Sequence, residues 1–159
     1  MTTRSVAHET FSIERRLPVP PRRVFAAWAT AEAKRRWFSC HDDWAGVDYR
    51  LDFRVGGSEM NRVTPPGHPD HIFEAQYLDI VPDARIVYAY SMMIGDRRIS
   101  ASLATVVFEA MGDATVMTFT EQVAFLDGYA DDGNRRRGTE EGLDRFERHI
   151  LEGLDLARH

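Results

Sequence analysis

One cysteine in 159 residues, Cys40, leaves no partner for an internal disulfide, so the fold must hold through packing and polar contacts alone. Lysine is almost as scarce: of the 20 basic residues only Lys34 is a lysine, and the rest are arginines. No run approaches the roughly 18 apolar residues needed to cross a bilayer as a helix, and the N-terminus lacks the charged, apolar and small-residue order of a secretory signal. A cytoplasmic protein with no membrane span is the expectation. There is no internal repeat or low-complexity block, and 159 residues suit one domain spanning 1–159. An excess of positive charge is missing too. With 25 acidic residues the net charge is −5, which disfavours a nucleic-acid partner. The densest basic run, Arg135-Arg136-Arg137, has Asp131, Asp132, Glu140 and Glu141 around it and reads as a solvated helix entrance.

What the chain does contain is alternation. Phe11 and Ile13 oppose Ser12 and Glu14 in a first strand over 10–17, which Pro18, Pro20 and Pro21 stop. Val24, Phe25 and Trp28 then share a helical face, and Thr30 is placed to cap a second short helix ending at Trp37-Phe38. After an aperiodic loop over 39–46, Val47, Tyr49, Leu51, Phe53 and Val55 alternate with charged residues in a strand over 47–55. Gly56-Gly57 signals a hairpin into 58–63. Further strands are expected at 71–80, 85–94, 99–109 and 115–124. A long amphipathic helix closes the chain, starting near Asp131 or as late as Thr139, with Leu143, Phe146, Ile150 and Leu154 on one face. The predicted fold is α+β, a curved antiparallel sheet wrapped around a C-terminal helix in the order β-α-α-β6-α. A twisted sheet cannot meet one helix along its whole length, and the gap between them is a natural ligand cavity.

The chain resembles the helix-grip superfamily of START-like domains, also called Bet v 1-like or SRPBCC, in its bacterial branch related to the C-terminal domain of the Hsp90 ATPase activator. The resemblance rests on Phe11-Ser-Ile-Glu-Arg15 into the proline-rich entry, Val24-Phe25-Ala-Ala-Trp28, Arg36-Trp37-Phe38, Leu51-Asp-Phe-Arg-Val-Gly-Gly57, Ile80-Val-Pro-Asp-Ala-Arg-Ile-Val87, Phe119-Thr-Glu-Gln-Val-Ala-Phe125 and Gly138-Thr139. It implies the fold more firmly than a function, because one scaffold hosts unrelated sites. The superfamily includes lipid and sterol carriers, hormone receptors, polyketide cyclases and an Hsp90 cochaperone. That cochaperone has a separate N-terminal domain for Hsp90 contact, for which these 159 residues leave no room, so Hsp90 is not the expected partner.

Strand alternation turns Tyr49, Phe53, Tyr88, Tyr90, Met92 and Phe119 toward the helix, where Phe146 meets them, and the resemblance places Trp37 and Phe38 at the entrance. Glu121 continues the Met117-Phe119 face, so its carboxylate points inward, where burial favours a proton donor or acceptor near neutral pH. Glu59 and Asn61 share a face on the third strand. Neither His68-Pro-Asp-His71 nor Cys40-His41-Asp42-Asp43 has metal-site spacing, and no metal or cofactor is expected. Three readings follow. The first is binding of a small apolar or aromatic molecule, lipid or polyketide-like, between sheet and helix. The second is an acid–base enzyme of cyclase, dehydratase or hydrolase type using Glu121 or Glu59 with tyrosines. The third is a chaperone-ATPase regulator. The outer sheet face, with Val87 and Val107, leaves a homodimer open.

Overall fold

The computed structural model describes residues 3–38 and 45–157. The chain forms β1 (Val6–Leu17), α1 (Pro21–Ala29), α2 (Ala31–Trp37), β2 (Ala45–Leu51), β3 (Ser58–Thr64), β4 (His71–Val81), β5 (Arg85–Ile94), β6 (Arg97–Met111), β7 (Ala114–Leu126) and α3 (Asn134–Ala157). The strands make one curved antiparallel sheet in the order β1-β7-β6-β5-β4-β3-β2. From β2 to β7 each strand pairs with the next, while β1 adds to the far side of β7. β1 and β2 therefore lie at opposite edges, and α1 and α2 must carry the chain between them. α1 approaches β6 and β7, and α2 approaches β2 and α3.

Side chains alternate as the period of two requires. On β7, Thr115, Met117, Phe119, Glu121, Val123 and Phe125 are buried while their neighbours are not. Leu143, Phe146 and Ile150 of α3 pack against this concave face. An aromatic knot joins the helices: Trp28 and Trp37 lie 4.8 Å apart, and Phe146 is 4.9 Å from Trp37 and 5.8 Å from Trp28. Both indoles keep a partner, Trp37 Nε1 donating to the Ala27 carbonyl at 2.9 Å and Trp28 Nε1 to the Met117 sulfur at 3.4 Å.

Two local expectations change, and of two starts left open for the last helix the earlier one fits. β2 stops at Leu51 instead of continuing to residue 55, because the next residues form a wide turn: Asp52 N–H donates to the Ser58 carbonyl and Gly57 N–H to that of Arg54. The turn is pinned to β4 by Gly56 N–H to the Tyr77 carbonyl and Tyr77 N–H to that of Gly57. Only glycine fits at 57, where a Cβ would lie 2.1 Å from the Asp52 oxygen. Val55 is left exposed, while Phe53 still turns inward, 5.0 Å from Tyr77 and 5.7 Å from Phe25. Thr30 does not cap α2 through its side chain. Its hydroxyl donates backward to the Ala26 carbonyl of α1 at 3.1 Å. Finally, α3 begins at Asn134, with the Asp131 carboxylate accepting the Arg135 N–H at 3.0 and 3.1 Å, so Asp131 supplies the cap ahead of the first turn.

Candidate functional site

Two buried ion pairs face each other across the concave side of the sheet. The first joins α2 to β3. Lys34 and Glu59 are both enclosed, with Lys34 Nζ 3.0 and 3.2 Å from the two carboxylate oxygens. Tyr49 of β2 donates to Glu59 Oε2 at 2.7 Å, and Tyr77 of β4 donates to Oε1 at 2.6 Å. Each Glu59 oxygen thus accepts two hydrogen bonds. The ammonium also lies 4.9 Å from the Trp28 ring, 5.1 Å from Trp37 and 4.3 Å from Phe38, a cage that favours a cation through the ring faces. Burial pulls the Lys34 ammonium below its ordinary pKa, and the Glu59 carboxylate opposes that pull. Burial, followed by the Glu59 charge, raises both phenols, so Tyr49 and Tyr77 stay protonated donors.

The second pair ties the start of α3 to β5, β6 and β7. Arg135 Nη1 donates to Glu121 Oε2 at 3.0 Å, and Nη2 donates to Ser100 Oγ at 2.6 Å. Tyr90 donates to both Glu121 oxygens at 2.8 and 2.7 Å, and Ser102 Oγ donates to Oε2 at 2.8 Å. The guanidinium carbon lies 5.6 Å from the centre of the Tyr90 ring and 5.4 Å from that of Phe125. Although burial pulls Arg135 down, Tyr90 and Glu121 outweigh it and hold the side chain charged. This pair is less enclosed than the first, since the Arg135 side chain is 11% exposed where Lys34 and Glu59 are at 0%. Among the described residues Glu121 Oε1 accepts from Tyr90 alone.

Between the two pairs runs a row of tyrosines. Tyr77 and Tyr88 are cross-strand partners on β4 and β5, and Tyr90 follows Tyr88 on the same face. Ring centroids are 5.7 Å apart for Tyr77–Tyr88 and 6.0 Å for Tyr88–Tyr90. The outer two donate to Glu59 and Glu121, whereas the Tyr88 hydroxyl, in a residue only 4% exposed, has no hydrogen-bond partner among the described residues. Every fully enclosed side-chain nitrogen or oxygen of the described residues does have a partner. The Tyr88 hydroxyl must therefore reach water-sized open space. Burial, then Tyr90, Glu59, Glu121 and Tyr49, push this phenol up, so it remains a donor. Diagonal to it stands Ala75, whose register partners are Glu59 on β3 and Tyr90 on β5, a small residue between two large polar side chains.

The residues singled out in the sequence fall on this face. Tyr49, Asn61, Tyr88 and Tyr90 are buried, Phe38 and Met92 are half-buried beside Phe73, and Phe53 closes the Tyr77 end. Phe119 and Phe146 lie in the packed core, Phe119 6.3 Å from Phe11, and Trp37 is locked in the helix knot with 2% exposure, so it is no entrance residue. Two residues escaped the sequence reading. Lys34 sits among charged neighbours, and its signal was its rarity together with its place one helical turn before Trp37. Arg135 belongs to no solvated run: it lies eight residues before Leu143, on the inward face of α3, while Arg136 and Arg137 stay exposed. Cys40, His41, Asp42 and Asp43 lie outside the described residues. Among the described residues no three His, Cys, Asp or Glu side chains gather as metal ligands, and Asp70 is held by Arg62 and Thr64. No helix among them is long and apolar enough to cross a membrane.

Comparison with solved structures finds a protein from Rhizobium leguminosarum that is 56% identical, covering 95% of this chain and 99% of its own, with a TM-score of 0.92. A protein from Rhizobium loti is 45% identical over 91% of this chain and 99% of its own, with a TM-score of 0.85. At 21% identity, a protein from Chromobacterium violaceum shares the fold over 89% of this chain and 96% of its own, with a TM-score of 0.72. No curated protein matches. The family model of activator of Hsp90 ATPase homolog 1-like proteins matches residues 18–154, from the proline-rich turn ahead of α1 to the last buried turns of α3. A curved antiparallel sheet closed by a C-terminal helix, matched over that length, makes the chain a member of the activator of Hsp90 ATPase homolog 1-like family, of the SRPBCC type.

Proposed function

We propose that the protein binds a small, largely apolar or aromatic molecule on the concave face of the sheet, between the two buried ion pairs and over Ala75. The observation that carries this reading is the Tyr88 hydroxyl. A phenol sealed without any partner would cost about 1–3 kcal/mol; the Tyr88 hydroxyl avoids that cost by reaching open space, among polar groups that are otherwise matched. Phe73, Tyr90 and Met92 supply apolar walls around it, with half-buried Phe38 and buried Asn61 beside Phe73. The ion pairs hold the walls apart and fix the phenols as donors. Ala75→Leu tests the reading, with binding followed by native mass spectrometry of freshly purified protein and by thermal shift with apolar aromatics. If the space over Ala75 takes a ligand, the variant keeps its melting temperature and loses binding. If side chains already fill that space, the added atoms overpack the core by about 1–3 kcal/mol, the melting temperature falls, and the proposal fails.

An acid–base enzyme is the second reading, and the geometry favours Glu121 over Glu59 for it. Both oxygens of Glu59 are doubly engaged, while Glu121 Oε1 retains an acceptor position beside Tyr90. Glu121→Gln would then abolish turnover of a bound compound and leave its affinity nearly intact. Equal turnover in the variant would remove this reading.

A further inference from the structure

We infer that the ligand carries an uncharged carbonyl group whose oxygen accepts the Tyr88 hydroxyl hydrogen bond, and that the same site rejects carboxylates. The inference rests on the binding reading above and adds the polar chemistry of the ligand. Of the three tyrosines in the row, Tyr77 and Tyr90 already donate their hydroxyl hydrogen bonds to carboxylates, so Tyr88 is the donor that remains. The flanking carboxylates, Glu59 on one side and Glu121 on the other, make the surroundings of this hydroxyl unwelcoming to another anion.

The two cations do not offset this for a ligand. Lys34 is enclosed behind its aromatic cage and bonded to both Glu59 oxygens. Arg135 directs Nη1 to Glu121, Tyr90 and Ser102, and Nη2 to Ser100. A ligand hydroxyl would bring a proton that needs its own acceptor; the Glu59 oxygens are taken, and that proton would have to reach Glu121 Oε1 beside Tyr90. A ketone or quinone oxygen brings no proton and accepts one, which is what the row of phenols lacks.

Three probes of one size separate the possibilities: 2-ethylnaphthalene, 2-acetylnaphthalene and 2-naphthoate, titrated at neutral pH into the wild-type protein and Tyr88→Phe by calorimetry. The ketone should bind about tenfold more tightly than the hydrocarbon, the value of one added hydrogen bond, and at least tenfold more tightly than the carboxylate. In Tyr88→Phe the ketone's advantage over the hydrocarbon should disappear. A carboxylate that binds as well as the ketone, or a ketone preference that survives in Tyr88→Phe, overturns the inference while leaving the binding reading in place. Failure of all three to bind the wild-type protein overturns both.

Discussion

The two ion pairs share one plan and differ in enclosure. In each, a helix cation meets a sheet glutamate whose oxygens also accept from hydroxyls. Lys34 and Glu59 are wrapped in indole and phenyl rings and sealed, whereas Arg135 and Glu121 are lined by Ser100, Ser102 and Tyr90 and reach a little solvent. A sealed pair gains strongly from its partner because neither charge has water to fall back on, and a vented pair can be repaired by water when one member is lost. Lys34–Glu59 is accordingly a fastener that fixes α2 to the far edge of the sheet. Arg135–Glu121 ties the first turn of α3 to β6 and β7.

Removing the cations tests this contrast most strongly. Lys34→Met leaves Glu59 buried without its cation and should lower stability by about 3–5 kcal/mol, measured from urea unfolding. Adding Glu59→Gln to that variant should recover a large part of the loss, because the remaining polar group is then neutral. Arg135→Met should cost less, about 1–3 kcal/mol, since water can enter beside Glu121. Equal losses in the two variants would break the comparison.

The phenols give the next contrast. Tyr77→Phe removes a donor from an enclosed carboxylate and should cost about 1.5–3 kcal/mol, as expected for a hydrogen bond to a charged group. Tyr88→Phe removes no hydrogen bond made within the described residues and should stay within about 0.5 kcal/mol of the wild type. A Tyr88→Phe loss as large as that of Tyr77→Phe would mean that the middle hydroxyl is structural. The smallest effect concerns pH. Burial lowers the pKa of His71 on β4, helped by His68, and of His149 on α3, helped by Arg36. Above the ordinary value of 6.5 both histidines are neutral, folded or unfolded. As pH falls through 6.5, the unfolded chain takes up protons first, so stability declines until the folded-state values are passed. His71→Gln and His149→Gln should each flatten part of that decline in pH-dependent melting curves.

Much of this architecture is legible in the residues because one face of the sheet is buried. Alternation placed β5 at 85–94, turned Glu121 inward, put Glu59 and Asn61 on one face of the third strand, and put Tyr49, Tyr88 and Tyr90 on the concave face. What alternation could not show is where a strand yields to a turn. Phe53 and Val55 keep the rhythm of β2, but Gly57 must approach the Asp52 carbonyl, and the chain leaves the ladder at Leu51. The ion pairs were hidden for another reason. A lysine or arginine in a charged helix is most often solvated, and its burial depends on a partner contributed by a strand distant in sequence: Glu59 lies 25 residues from Lys34. The partner acids were readable alone; the pairings were not.

Lys34 also decides how this protein meets reagents and modifying enzymes. The side chain of the only lysine is sealed, so the folded surface presents guanidinium groups and no side-chain amine. Acylating reagents, and enzymes that acetylate or ubiquitinate lysine, can reach that nitrogen only when α2 lifts from the sheet. The rate at which Lys34 is modified therefore acts as a clock for that opening, written into the chain by its own composition.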